Sequence, residues 1–178
     1  MDENNKENCD RIDIDVLKEC TLCPRMCKVD RTKNIGVCGV GYLPKLSNIV
    51  LHKGEEPPLS GEMGAGAVFL SGCQMKCIYC QNMGFSQKGI GFEISVEELS
   101  CAFLKTQQAG ATTLDLVSPT PHLPWIIGAL DNARKDGFNI PVVYNTSSYE
   151  RVEILRQIEG YVDIYLADIR YTDNEMGM

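Results

Sequence analysis

From residue 66 onward the sequence alternates between short apolar runs and longer amphipathic stretches, and this rhythm constrains the fold more than any other feature. "AVFLSG" (67–72) is a brief apolar run of the kind a strand buried on both faces presents. "SVEELSCAFLKTQQAG" (95–110) opens with Ser95 three residues ahead of Glu98, the spacing of a capping box. Val96, Leu99, Ala102 and Phe103 share one helical face, Cys101 is placed on that apolar side, and Gly110 stops the pattern. "TTLDLVSP" reads as a second strand. "HLPWIIGALDNARKDG" follows as a helix with Ile126, Leu130 and Ala133 on one side, Trp125 in the core and Gly137 at its end. "IPVVYNT" is the third strand, and "SSYERVEILRQIEG" a third helix in which Ser147 and Glu150 have the spacing of another capping box. "YVDIYLADIRY" is the fourth strand.

Helices inserted between short strands make right-handed βαβ crossovers on a parallel sheet, so the expected class is α/β. The expected division is a Cys-rich N-terminal metal-binding segment over 1–60, with a Gly/Pro-rich exit, and a strand–helix core over 61–178. In such sheets ligands bind at the carboxyl ends of the strands. The polar residues at those ends are Ser71, Ser118, Asn145, Thr146, Asp168 and Arg170.

Composition excludes some classes of function. A net charge of −7 and a pI near 4.9 argue against general binding of nucleic acid or of an anionic membrane. The start, "MDENNKENCD", lacks the apolar stretch of a signal peptide, and no window nears the roughly 18 apolar residues of a membrane span, so a cytoplasmic location is expected. Nine cysteines, an odd number, fit metal binding or redox chemistry better than a disulfide framework.

Three of those cysteines stand in the order Cys73-x3-Cys77-x2-Cys80, directly after the first strand and on the same rim as the polar residues. A closed structural zinc site takes four protein ligands, so this set needs a distant fourth cysteine to become one. Alternatively, three thiolates hold three irons of a 4Fe–4S cluster and leave the fourth iron open. Four more cysteines, Cys20-x2-Cys23-x3-Cys27-x10-Cys38, form a complete set that suits zinc or a closed second 4Fe–4S cluster equally well. Cys9 falls in a polar tail. Of the two histidines, His122 is expected at a helix start or in solvent on the rim, and His52 in an exposed loop before the acidic pair of "KGEEPP".

The three-cysteine segment, with Tyr79 as the aromatic, resembles the radical S-adenosylmethionine (SAM) signature C-x3-C-x-aromatic-C. "CTLCPRMC", "GVCG", "GEEPPLSG", "CIYCQN", "VSPTP", "VVYNTSSYE" and "GYVDIYLADIRY" together resemble the pyruvate formate-lyase-activating-enzyme-like branch of that superfamily. The resemblance implies a partial (β/α) barrel of about four βα units, a 4Fe–4S cluster on Cys73, Cys77 and Cys80, and SAM on its open iron. It places the backbone of Tyr79 near the adenine, and Asn145 and Thr146 near SAM. Asp168 and Arg170 are placed toward the ammonium and carboxylate of SAM. Where many relatives carry Gly-Gly-Glu to receive that ammonium, this chain has Ser118-Pro119-Thr120, so the Ser118 hydroxyl and nearby carbonyls are left to substitute. The implied activity is reductive cleavage of SAM to methionine and a 5′-deoxyadenosyl radical that abstracts hydrogen. A flavodoxin or ferredoxin is the implied reductant. The implied hydrogen donor is a glycine in a glycyl radical enzyme, with a small molecule or peptide as the alternative; a non-catalytic metal-stabilised protein is the reading from a different class. Barrels of this superfamily usually have six strand–helix units, so four units lead to the expectation that the sequence is a fragment.

Overall fold

The computed structural model describes residues 12–169 and residue 173. Six strands and five helices follow in the order β1 (Lys45–His52), α1 (Pro57–Ser60), β2 (Ala65–Leu70), α2 (Met83–Ser86), β3 (Phe92–Glu93), α3 (Val96–Gln108), β4 (Leu114–Val117), α4 (Leu123–Lys135), β5 (Val142–Thr146), α5 (Val152–Gln157) and β6 (Ile164–Ala167). The strands form one mixed sheet in the order β3-β1-β2-β4-β5-β6. β2, β4, β5 and β6 run parallel, each joined to the next through a helix, while β1 is antiparallel to both of its neighbours. The chain is therefore α/β, and the four apolar runs of the sequence are its parallel strands.

The two long helices begin and end as their sequences dictate. Ser95 accepts from the Glu98 amide while the Glu98 carboxylate accepts from the Ser95 amide, closing the capping box of α3. Gly110 and Gly137 each follow a helix in the left-handed region, at φ 90° and 93°. At both, the glycine amide bonds three residues back and the next amide five back (Ala111 to Thr106, Phe138 to Ala133), which is the Schellman pattern. Phe138 is thereby delivered into the core, its ring 6.4 Å from that of Phe103.

Two apolar clusters cover the outer face of the sheet. One joins Val68 and Leu70 of β2 and Leu114 and Leu116 of β4 to Leu99 and Phe103 of α3 and to Ile126 and Leu130 of α4. The other brings Leu17 and Leu22 of the N-terminal segment onto Leu123, Trp125 and Ile127 of α4, Ile154 of α5 and Ile158 just after it. Trp125 is in the core as its sequence setting requires. Cys101 is not: α3 buries Leu99, Ser100, Phe103 and Thr106, and a residue two places beyond Leu99 points some 200° around the helix, so Cys101 is exposed. The second capping box is likewise overturned. α5 starts later, with Arg151 as an extended N-cap that makes no side-chain cap, because Glu150 is engaged at the sheet rim.

The segment before residue 60 supplies β1 to the sheet. A bulge between Leu46 and Asn48 and burial on alternating but incomplete faces give this strand no clean period-two pattern. Ser95→Ala removes one half of the α3 capping box. It is expected to cost about 1 kcal/mol, read as a lower urea midpoint with an unchanged slope; an unaltered midpoint contradicts this account of how α3 starts.

Candidate functional site

The parallel strands place one row of side chains across the inner face of the sheet: Phe69, Val117, Asn145 and Leu166 are register partners on β2, β4, β5 and β6. All four line a single cavity of about 580 Å³. Cys73, Cys77, Tyr79 and Cys80 line it from the loop after β2, Ser118 from the end of β4, Asn145 and Thr146 from β5, and Asp168 from just beyond β6. The fold thus brings eight sequence-selected residues to one cavity. Arg170 and Cys9 lie outside the described residues.

The three-cysteine loop is held by its own backbone and by neighbours. The Cys80 amide donates to Cys77 O (3.2 Å), Gln87 Nε2 donates to the same carbonyl (2.7 Å), and the Met75 amide donates to Cys73 Sγ (3.5 Å). Cys80 Sγ and Ser86 Oγ share a 3.3 Å hydrogen bond. Helix α2 folds back so that Phe85 meets Phe69, with ring centroids 5.2 Å apart. All three thiols are half-buried. Among the described residues no group of three or more His, Cys, Asp or Glu side chains is arranged to hold a single metal ion.

Several residues that matter here gave no signal in the motifs. Gln74, inside the cysteine loop, is buried and donates to Thr120 Oγ1 (3.1 Å) and to Glu150 Oε1 (3.3 Å). Glu150 Oε1 also accepts from Thr120 and Thr146 hydroxyls, both at 2.7 Å. Burial pushes the Glu150 carboxyl above its usual range, and the two threonine hydroxyls pull it back. Through Thr120, a carboxylate from the β5–α5 connection reaches the turn that follows β4. Ser118 at this turn adopts φ 51°, a left-handed conformation uncommon for a residue with a side chain. Arg25 of "CTLCPRMC" donates through Nε to Gln74 O and through Nη2 to Met75 O (3.4 Å), clamping the cysteine loop from outside.

His122 stands at the start of α4 as its N-cap residue, and is neither in solvent nor in the cavity lining. It is fully buried, and its Nε2–H donates to Ser71 O at 2.9 Å, tying α4's start to the end of β2. Burial holds its pKa down at about 3, so the ring is neutral. His52, expected in a loop, is instead the exposed last residue of β1; it lines the cavity with Glu55 and Glu56, and its Nδ1 lies 3.2 Å from Glu55 Oε1. One row below Asn145 on the same face sits Asp115, fully buried, with Oδ2 accepting from Asn145 Nδ2 at 3.3 Å and Oδ1 without a partner. A charged residue inside the apolar run "TLDLV" was the available signal for it. Burial, opposed by the Asn145 amide, raises its pKa to about 7.

No protein-family model matches the chain, and no solved structure matches it. The chain is similar to an uncharacterized protein of Methanocaldococcus jannaschii, at 31% identity over 172 residues. The match takes in 91% of this chain and 48% of the relative, so the chain spans about half the length of the curated relative it matches. Among the described residues no helix is long and apolar enough to cross a membrane.

Asp115 makes stability depend on pH in a defined direction. Between its unfolded pKa near 4 and its folded value of about 7, the folded chain keeps a proton that the unfolded chain has lost. Its contribution therefore falls as pH rises through that window, by an upper bound on the order of 4 kcal/mol. Asp115→Asn is expected to flatten the decline seen in denaturation curves between pH 4 and 8; parallel pH profiles for the two proteins contradict the burial of this carboxyl.

Proposed function

We propose that this chain is the cluster- and SAM-binding part of a radical SAM enzyme of the pyruvate formate-lyase-activating-enzyme-like type, built on a partial (β/α) barrel. The observation that carries the reading is the single cavity at the carboxyl ends of four parallel strands, lined together by Cys73, Cys77, Cys80 and the rim residues. Ligand sites on such sheets form at that edge.

The residues present suit the group. Three thiolates supply three of the four ligands of a 4Fe–4S cluster, and the donor set provides no fourth cysteine in the cavity lining. When bound, a reduced cluster of this kind cleaves SAM to methionine and a 5′-deoxyadenosyl radical. The protein's part is binding and orientation. Gln74, Arg25 and Gln87 fix the path of the cysteine loop. Tyr79 is about half exposed at the cavity mouth, where its backbone is offered to an adenine. Thr146 O accepts from the Asp168 amide at 2.9 Å, which extends the β5–β6 ladder and sets Asp168 beside Thr146. Asp168 and the Ser118 hydroxyl are the groups suited to an ammonium, with Arg170 assigned to the carboxylate. Apolar Phe69, Val117 and Leu166 line the cavity beside these polar groups and limit the water that can surround a bound ligand.

A flavodoxin or ferredoxin is the proposed electron donor. The proposed hydrogen donor is a glycine of a partner enzyme; the alternative is a small molecule or peptide. No role for nucleic acid or membrane is proposed, and the proposed location is the cytoplasm.

The test is anaerobic. Reconstituted with iron and sulfide, reduced with dithionite and given SAM, the protein is expected to release 5′-deoxyadenosine, and Cys73→Ala, Cys77→Ala and Cys80→Ala each to abolish it. Failure to take up iron and sulfide at these cysteines contradicts the proposal.

A further inference from the structure

The four N-terminal cysteines lie outside the cavity and form a separate neighbourhood. Cys20 and Cys38 are buried, Cys23 and Cys27 half-buried. Cys20 and Cys38 flank the same side chain: Cys20 Sγ lies 4.0 Å from Arg31 Nη1, and a Cβ at Gly36 would meet both Cys38 Sγ (3.4 Å) and Arg31 Cδ (3.7 Å). All four thiols lie within electrostatic reach of one another. The backbone is shaped to present them. Met26 and Lys28, on either side of Cys27, take φ of 40° and 54°, conformations that side chains rarely adopt without a reason. The Lys28 amide bonds Cys20 O (3.0 Å) and the Cys20 amide bonds Val29 O (3.1 Å), which holds the two ends of the Cys20–Cys27 loop together.

A second, independent observation points to what they bind. Arg31 is 1% exposed, among the most deeply buried side chains of the protein. Its Nε donates to Gly41 O (2.9 Å) and its Nη1 to Pro121 O (2.8 Å), and the guanidinium stands 5.5 Å from the Trp125 ring centroid. Nη2 has no partner, and the described ion pairs give Arg31 no carboxylate. The anion-forming atoms near it are cysteine sulfurs: Cys20 Sγ stands 4.0 Å from Nη1, and the Arg31 charge also acts on the Cys38 thiol. A guanidinium does not shed its proton, and a buried charge is retained when it is compensated. Four neutral thiols offer no compensation. Four thiolates on a divalent metal, or on an iron–sulfur cluster, carry an excess negative charge.

We propose that Cys20, Cys23, Cys27 and Cys38 form a closed tetrathiolate metal site whose excess negative charge is balanced by the buried Arg31. The sulfurs are neighbours and do not yet meet at one point, so metal binding draws them inward on a backbone already bent to present them, or spreads them over several iron atoms. The site backs directly onto the three-cysteine loop. The Cys73 amide donates to Cys38 O at 3.0 Å, and Arg25, between Cys23 and Cys27, holds the carbonyls of Gln74 and Met75. The metal thus braces the loop that lines the cavity. This inference does not depend on the radical reading.

The experiment uses the whole chain with Cys73, Cys77 and Cys80 all changed to Ser, so that metal at the cavity is excluded. After incubation with zinc, or separately with iron and sulfide, bound metal is counted by plasma mass spectrometry and its shell read by X-ray absorption. One zinc with four sulfurs at about 2.3 Å supports an ion site, and four iron with four sulfide supports a cluster. Cys23→Ser, at a half-buried position, is expected to lower affinity in chelator competition. Arg31→Gln is expected to lower it about ten- to hundredfold, while Arg31→Lys, which keeps the charge, retains most of it. A folded protein that takes up neither metal overturns the site. So does a shell of nitrogen and oxygen, and equal affinity of Arg31→Gln and wild type overturns the role of Arg31.

Discussion

The structure depends on one backbone crossing. The strand end at Gly72 passes so close to the N-terminal segment that a Cβ there would sit 2.8 Å from Cys38 O and 2.4 Å from Val40 Cγ2, and Gly72 itself takes φ 94°. Only a glycine permits both. The next residue, Cys73, then donates its amide to Cys38 O. Through this contact the two cysteine groups of the sequence, separated by more than thirty residues, become one structural unit. The direction in which Cys73, Cys77 and Cys80 leave the sheet is set by a segment that has its own four thiols to organise.

Beyond that crossing, the parallel sheet does the positioning. Side chains on a strand alternate between faces, so register pairing of four strands converts isolated residues into the row Phe69, Val117, Asn145 and Leu166. Polar groups take the strand ends, where backbone no longer pairs. There buried Gln74, Thr120 and Thr146, with half-buried Glu150, join the cysteine loop to the ends of β4 and β5. Buried polar networks of this kind hold one arrangement when satisfied. Glu150 Oε2 and Gln74 Oε1 have no hydrogen-bond partner among the described residues.

The strand–helix rhythm was legible because parallel strands read as continuous apolar runs and the helices carry glycines where Schellman turns end them. The cavity residues were legible as a consequence, since the strand ends follow from the strands. What escaped was whatever depends on contacts far apart in sequence. β1 lacks a period-two pattern because a bulge shifts it and its burial is partial. Ser147 and Glu150 have the spacing of a cap, yet Glu150 finds two threonine hydroxyls at the rim and the helix begins without it. His122 stands at the start of α4 as expected; what its neighbours did not show is that its ring turns inward to Ser71 O. Arg31 is a charged residue whose burial no local pattern announces, whereas Asp115 was signalled only by its place inside an apolar run.

The central claim is that the cavity lined by Cys73, Cys77 and Cys80 holds a cluster with one iron left open for SAM. Electron paramagnetic resonance of the reconstituted, reduced protein with and without SAM tests it most directly. The account predicts a reduced-cluster signal whose g-values shift when SAM is added, with the SAM-responsive signal lost on Cys77→Ala. A signal indifferent to SAM, or a SAM response that survives without Cys77, contradicts it.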